Sequence, residues 1–138
     1  MKEFELKATK IEHIEFINKL PANVKIELSN KYSYNVAYSK QNTCSGEFKV
    51  EVFDKNSPDR FKIDILMKGL FIFSPDVPKE KLHILTYDAL FPYVKAFVTN
   101  LTANSNIPPV YLPYLDISGQ SIYRVEMPRK INSQEDEE

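Results

Sequence analysis

Cysteine, histidine and glycine are scarce in this chain of 138 residues. Cys44 is the one cysteine, so no disulfide can form within the chain, and a reducing compartment, the cytoplasm, is the expected location. The two histidines, His13 and His83, match no zinc-binding spacing, and the three glycines form no phosphate-binding loop. We therefore expect no enzyme, no metal site and no cofactor.

Long apolar runs and an excess of one charge are also missing. No apolar stretch approaches the roughly 20 residues that a membrane-spanning helix needs. The first residues, Met1–Glu5, are too charged for a secretory signal. Basic and acidic residues nearly balance, at 18 and 19, which leaves no basic surface for nucleic acid. We expect a protein that neither inserts into membranes nor binds nucleic acid.

Aromatic residues are abundant instead, with nine Phe and eight Tyr, although Trp is absent. A domain of this size has difficulty burying so many rings, and Tyr suits surfaces that are apolar in body and wet at the tip. Packing in the core is the simpler explanation for any single Phe. The number of rings nevertheless indicates that some of them form a binding surface.

Four segments predict β-strands, approximately residues 4–16, 24–38, 48–53 and 61–73. In the second and third segments and in the first part of the fourth, apolar and polar residues alternate with a period of two, whereas residues 70–73 are a continuous apolar run. The first segment is predicted from its apolar residues Phe4, Leu6, Ile11, Ile14 and Phe16. The short connections favour antiparallel pairing. Gly69 interrupts the last segment and predicts a bulge or a close approach of another part of the chain.

The pattern then changes to helical spacing between Leu90 and Leu101. Thr86 or Asp88 is predicted to cap the start of this helix. Pro92 then lies near its beginning, where a missing N–H costs least. The chain is thus predicted to have an α+β fold.

Beyond the helix, the prolines within residues 108–113 impose an extended crossover. A short second helix is predicted over residues 118–125. We interpret residues 1–128 as a single domain and residues 129–138 as an acidic, disordered tail.

The stretch from Leu90 to Pro113 resembles the SecB family of bacterial export chaperones. It contains Phe91-Pro92-Tyr93 in the helix, then a polar turn, then the extended segment Ile107–Pro113. Upstream, Gly69–Phe73 is similar to the family's strand ending in Gly-apolar-Phe. The resemblance spans roughly residues 7–123.

The resemblance implies a four-stranded antiparallel sheet followed by a main helix and a Pro-rich crossover. It also implies an ATP-independent holdase that binds unfolded or extended polypeptide clients and forms a tetramer, with a dimer as the fallback. The oligomer interface is then expected on the helix, at Val94, Phe97 and Leu101. The clients are expected in a groove between the sheet and the crossover. The residues expected to contact them are Phe53, Phe71, Phe73, Tyr111 and Tyr114, with one of Phe71 and Phe73 in the core and the other facing the groove.

Family members that deliver clients to the export ATPase SecA use an acidic patch on the outer face of the sheet. At the matching positions this chain has His13, Ile17 and Lys62, and only Asp64 keeps an acid. Asp64 is therefore the expected SecA contact, and the hand-off to SecA is expected to be weak.

Two alternatives remain open at this stage. One is a dedicated SecB-like chaperone of a single partner such as an antitoxin, which gene neighbourhood would distinguish from a general chaperone. The other is a carrier of a small apolar ligand, which would need a closed apolar pocket within one subunit.

Overall fold

The computed structural model describes residues 4–21 and 24–116, and in this part of the chain four strands precede one helix. The elements are β1 (Phe4–Asn18), β2 (Leu28–Ser39), β3 (Thr43–Asp54), β4 (Phe61–Phe73) and α1 (Lys79–Ala103). The predicted α+β class and the antiparallel sheet are confirmed. The predicted short helix over residues 118–125 and the predicted acidic tail lie outside the described residues.

The sheet has the strand order β1-β4-β3-β2, and every neighbouring pair is antiparallel. The two edge strands are therefore β1 and β2. Within the described residues, α1 falls short of the length and apolar character that crossing a membrane requires.

One face of the sheet, here called the inner face, packs against α1. Side chains of alternate strand residues meet one side of the helix there, and removing each from water contributes about 1.5–3 kcal/mol. The fully buried apolar side chains include Phe48, Val50 and Val52 of β3, Phe61, Ile63, Ile65 and Phe71 of β4, and Leu82, Tyr87, Leu90, Val94 and Val98 of α1.

Two bulges interrupt the pairing of β1 with β4. The register shifts between Leu6 and Ala8 and again between Ile11 and His13, so Lys7 and Glu12 are the extra residues. Side chains alternate between the two faces along a strand, so each extra residue switches the inward-facing positions between even and odd residue numbers.

Gly69 itself is regularly paired, so the predicted bulge lies on the partner strand rather than at the glycine. The predicted close approach does occur there. A Cβ atom at Gly69 would lie 3.0 Å from Cδ1 of Leu90, which lets α1 pack directly on β4.

The helix begins at Lys79, directly after Pro78, and thus earlier than the predicted caps at Thr86 and Asp88. Thr86 does not cap the helix; its Oγ1 donates to the carbonyl of Leu82 within it, at 2.8 Å. Pro92 consequently lies in mid-helix. Pro92 and Asp88 are both exposed, so water can reach the backbone that the missing N–H leaves unpaired.

Candidate functional site

A groove of about 930 Å³ lies where α1 leaves the sheet uncovered, between the start of β2 and the crossover that follows the helix. We call it the inner groove. Lys25 is the one charged residue among its described lining residues, and Asn18 and Asn30 supply side-chain amides. The apolar side chains along its walls are Leu20, Val24, Ile26, Leu28, Ile107 and Val110.

The crossover wall is tied to the helix at Val110. Thr99 Oγ1 donates to the Val110 carbonyl at 2.8 Å, and the Val110 N–H donates to Thr102 Oγ1 at 2.7 Å. Pro108 and Pro109 precede this anchor and hold the backbone extended. The wall therefore has a defined position although it is not part of the sheet.

The opposite wall is held by the end of β1. Asn18 Nδ2 donates to the Ser105 carbonyl at 3.2 Å, and Asn18 Oδ1 accepts from the N–H of Leu20 at 3.3 Å. The N–H of Lys55 donates to the Glu27 carbonyl at 2.8 Å and fixes the segment before β2.

Tyrosines hold the rest of the crossover. Tyr32 donates to the Pro113 carbonyl at 2.8 Å and Tyr87 to the Leu115 carbonyl at 2.9 Å. Tyr114 donates to Asp88 Oδ1 at 2.6 Å. That hydrogen bond, assisted by burial, raises the pKa of Tyr114 to about 12.

Of the five predicted client contacts, Tyr111 lines the inner groove and is 68% exposed. Tyr114 is 51% exposed, but its ring packs on Phe91 with centroids 5.4 Å apart. Phe73 is partly buried against Tyr38, with ring centroids 6.1 Å apart.

The other two predicted contacts lie elsewhere. Phe53 has the opposite parity to the buried residues of β3, so it sits on the outer face, where Lys31 Nζ is 5.8 Å from its ring centroid. Phe71 is fully buried under α1, as the prediction of one core ring among Phe71 and Phe73 requires. Its place among the client contacts is therefore corrected.

The structure thus does not bring the five predicted residues into one site. The residues that sequence reasoning missed precede β2 or begin the crossover, far apart in sequence. The available signal was the pair of proline-marked segments at Pro21 and Pro108-Pro109, each next to apolar residues that belong to no strand.

The predicted oligomer interface also needs one correction. Val94 is fully buried against the chain's own sheet, because it lies on the side of α1 that faces the core. Phe97 and Leu101 are partly buried, and Tyr93, which the prediction omitted, is 51% exposed.

Asp64 lies on the outer face, in the inner strand β4. Glu15 of β1 is directly opposite it on one side, and Glu51 of β3 on the other. Burial raises the pKa of the Asp64 carboxyl, while Lys49 and Lys62 act in the opposite direction.

The outer face as a whole carries mixed charge. Lys62 Nζ is 3.5 Å from Glu15 Oε1, and Lys49 Nζ is 3.6 Å from Glu51 Oε2. The outer face therefore carries more acidic residues than the resemblance to the SecB family indicated, and lysines lie next to them.

The chain has recognisable relatives, although no protein-family model matches it. It is 30% identical to the uncharacterized protein MJ0357 of Methanocaldococcus jannaschii, over 92% of this chain and 87% of that protein. A structure of a Streptococcus agalactiae protein of unknown function aligns at 13% identity with a TM-score of 0.48, covering 81% of this chain and 98% of that one.

A closer structural match is the SecB-like chaperone Rv1957 of Mycobacterium tuberculosis, solved in complex with a ChAD peptide from the antitoxin HigA1. It aligns with a TM-score of 0.65 at 17% identity, covering 83% of this chain and 88% of that one. Such a match at low identity bears on the fold, whereas the 30% identity to the archaeal protein bears on descent. The chain therefore belongs to the family of MJ0357, and its fold is that of the SecB-like chaperones.

Proposed function

We propose that the protein is an ATP-independent chaperone that binds extended, apolar segments of other polypeptides in the inner groove. The observation that carries this proposal is the groove itself, a cavity of about 930 Å³ that is lined by aliphatic side chains, prolines and a few polar groups and lies beside an edge strand of the sheet.

The lining suits a client of variable sequence. Burial of apolar surface is non-directional, so a groove lined mainly by aliphatic side chains and prolines accepts many apolar residues. The volume falls within the ~300–1,000 Å³ typical of ligand sites. Lys25 and the amide of Asn30 can orient the polar backbone of a bound segment.

The edge strand offers a second element of recognition. β2 pairs with β3 along one side, and no strand pairs with its other side among the described residues. Leu28 and Asn30, at the start of β2, both line the inner groove. An extended peptide can therefore place side chains in the groove and pair its backbone with this edge, as in β-augmentation.

The fold supports a peptide client. The mycobacterial SecB-like chaperone of this fold was solved with a peptide from an antitoxin. The same observation favours the second candidate, a dedicated chaperone of one partner such as an antitoxin.

A matched pair of variants tests the groove. Leu28 and Leu70 are both exposed leucines of the sheet, at 36% and 47%, but Leu28 lines the groove and Leu70 lies on the outer face. Leu28→Asp should weaken binding of a labelled, unstructured apolar peptide, measured by fluorescence anisotropy, and Leu70→Asp should not. Equal effects of the two variants would contradict the proposed site.

Aggregation assays distinguish the two kinds of chaperone. A general holdase keeps several unrelated unfolded clients soluble at stoichiometric amounts and without nucleotide. A dedicated chaperone protects one protein, which should co-purify from the native cell and bind through Leu28. Binding of small apolar dyes without any peptide binding would instead favour the carrier alternative.

A further inference from the structure

Three potential metal ligands converge on the outer face, away from the inner groove. The ligand atoms of His13, Glu15 and Asp64 all lie within 4.8 Å of one another. We propose that these three residues form a binding site for a divalent transition-metal ion, Zn²⁺ in the first instance.

The second bulge of β1 creates this arrangement. Ile11 pairs with Met67 on the inner face, and after the extra residue Glu12 the next pair is His13 with Leu66. Without the bulge, His13 would have the inward parity. With it, His13 and Glu15 share the outer face with Asp64, which lies directly opposite Glu15. Bulges often re-aim side chains at functional sites, and this one assembles the donor set.

Asp64 supplies an independent observation. Its Oδ1 is buried and has no hydrogen-bond partner among the described residues. Carboxylates flank it on both neighbouring strands, Glu15 on β1 and Glu51 on β3. A buried carboxylate oxygen without a partner is costly, and a bound cation satisfies it while offsetting the surrounding negative charge.

The donor chemistry selects a transition metal. Imidazole favours Zn²⁺ and its neighbours in the first transition row, and carboxylates complete such sites. His13 and Glu15 are exposed, so their side chains can adjust to metal geometry. Three protein ligands leave one position of a tetrahedral site for water or for a donor from a partner.

Lys62 lies beside the three ligands and would compete with a cation for Glu15. Its Nζ lies 3.5 Å from Glu15 Oε1, and its charge also acts on Asp64. Metal binding must displace this ammonium. The lysine should therefore weaken the site, and removing it should strengthen binding.

The test is a calorimetric titration of the full chain with Zn²⁺ at about pH 7.5, where an ordinary histidine is mostly neutral. His13→Gln should weaken the affinity at least about tenfold, since loss of even an outer partner of a ligand costs about 10–100-fold. Lys62→Met should strengthen it. The other histidine and the cysteine are both buried in the fold and do not compete. Glu5→Gln, at an exposed outer-face position of β1, should leave the affinity unchanged.

Thermal melts separate metal binding from folding. In chelator, His13→Gln should melt like the wild type, because His13 is exposed. Asp64→Asn should not melt lower either, since it removes charge from the unpartnered buried oxygen. Zn²⁺ should raise the melting temperature of the wild type but not of these two variants. An equal rise in His13→Gln, or no binding to the wild type, would overturn the proposal.

Discussion

The hydroxyl of Tyr34 donates a 2.6 Å hydrogen bond to Oγ1 of Thr86 and so joins edge strand β2 to helix α1 inside the core. Thr86 Oγ1 in turn donates a hydrogen bond to the Leu82 carbonyl at 2.8 Å. Burial raises the pKa of Tyr34 well above its usual value, so the phenol stays protonated and keeps donating. The tyrosine ring lies over Gly46 of the adjacent strand, where a Cβ atom would clash with the hydroxyl because it would be closer than van der Waals contact allows.

This contact predicts coupled stability effects. Tyr34→Phe should lower the free energy of unfolding by about 1 kcal/mol through the lost hydrogen bond. Gly46→Ala should cost about 1–3 kcal/mol, because the new methyl group overpacks the core. In the double variant the hydroxyl is gone, so its loss of unfolding free energy should be smaller than the sum of the losses in the two single variants. Denaturant melts of the four proteins check this, and strict additivity would show that the hydroxyl is not the obstacle.

The two exposed tyrosines of the crossover should respond differently to truncation. Tyr111→Ala should change stability by less than about 0.5 kcal/mol, since the side chain is 68% exposed, yet weaken peptide binding at the inner groove. Tyr114→Ala should cost about 1 kcal/mol or more, because it loses the hydrogen bond to Asp88 and the contact with Phe91.

Melts and peptide titrations on both variants provide the measurement, and Tyr114→Phe isolates the hydrogen bond. If Tyr111→Ala left peptide binding intact, the crossover would not be a wall of the binding site.

The sequence pattern was sufficient for the sheet because β3 and β4 keep one parity throughout, and every second residue from Phe48 to Val52 is buried. In β1 the inward residues change from even to odd and back, from Leu6 through Ile11 to Phe16. The two bulges cause this change between even and odd positions. Without the partner strand, the sequence of β1 shows only an irregular apolar pattern, from which the bulges cannot be recognised.

The start of the helix was missed for a related reason. Its first turns bury His83 and Thr86, two polar residues that hide the apolar side of the helix from a hydrophobicity pattern. The proline-marked segments were a sequence signal for the inner groove, but the sequence does not bring the residues of either proposed site together. Residues 20–21 and 24–28 meet residues 105–111 only through the fold, and His13 meets Asp64 only through strand pairing.

Self-association remains a prediction. Tyr93, Phe97 and Leu101 leave an incompletely buried apolar surface on α1, and the edge strands are open among the described residues. Light scattering should give about four times the chain mass of 16.0 kDa, or twice if one interface is weak. Tyr93→Asp should lower the mass, with Tyr111→Asp as the control. A monomer at micromolar concentration would contradict the prediction.

Binding to SecA should be weak and salt-sensitive. Lys49 and Lys62 flank the row of acids around Asp64 and offset its negative charge. A weaker negative patch slows encounter with a partner that recognises acidic residues. Lys62→Glu should therefore strengthen any binding, since each close charge pair contributes on the order of 1 kcal/mol. Calorimetry on the wild type and this variant provides the measurement. Tight wild-type binding abolished by Asp64→Lys would show that the patch is functional as it stands.

The turn between β3 and β4 should make stability depend on pH at the acidic end. Asp54 is fully buried there; its Oδ2 accepts from Arg60 Nε at 2.9 Å, and its Oδ1 accepts from the N–H of Asn56 at 3.0 Å and of Ser57 at 3.3 Å. Burial opposes ionisation of Asp54, but these bonds outweigh it and hold the pKa of the carboxyl below its ordinary value of 3.8.

Because the folded state binds the Asp54 proton less tightly than the unfolded chain, ionised Asp54 stabilises the fold above the ordinary pKa. That contribution is lost as the pH falls through the folded pKa. Asp54→Asn should thus lower the free energy of unfolding by a constant amount above about pH 5, and the difference from the wild type should shrink below pH 3.8. Asp59→Asn, at an exposed position of the same turn, is the matched control. Denaturant melts between about pH 2 and pH 7 measure the difference. A gap that stayed constant down to the lowest pH would mean that the Asp54→Asn substitution costs stability by distorting the turn, not by removing the charge that Arg60 holds.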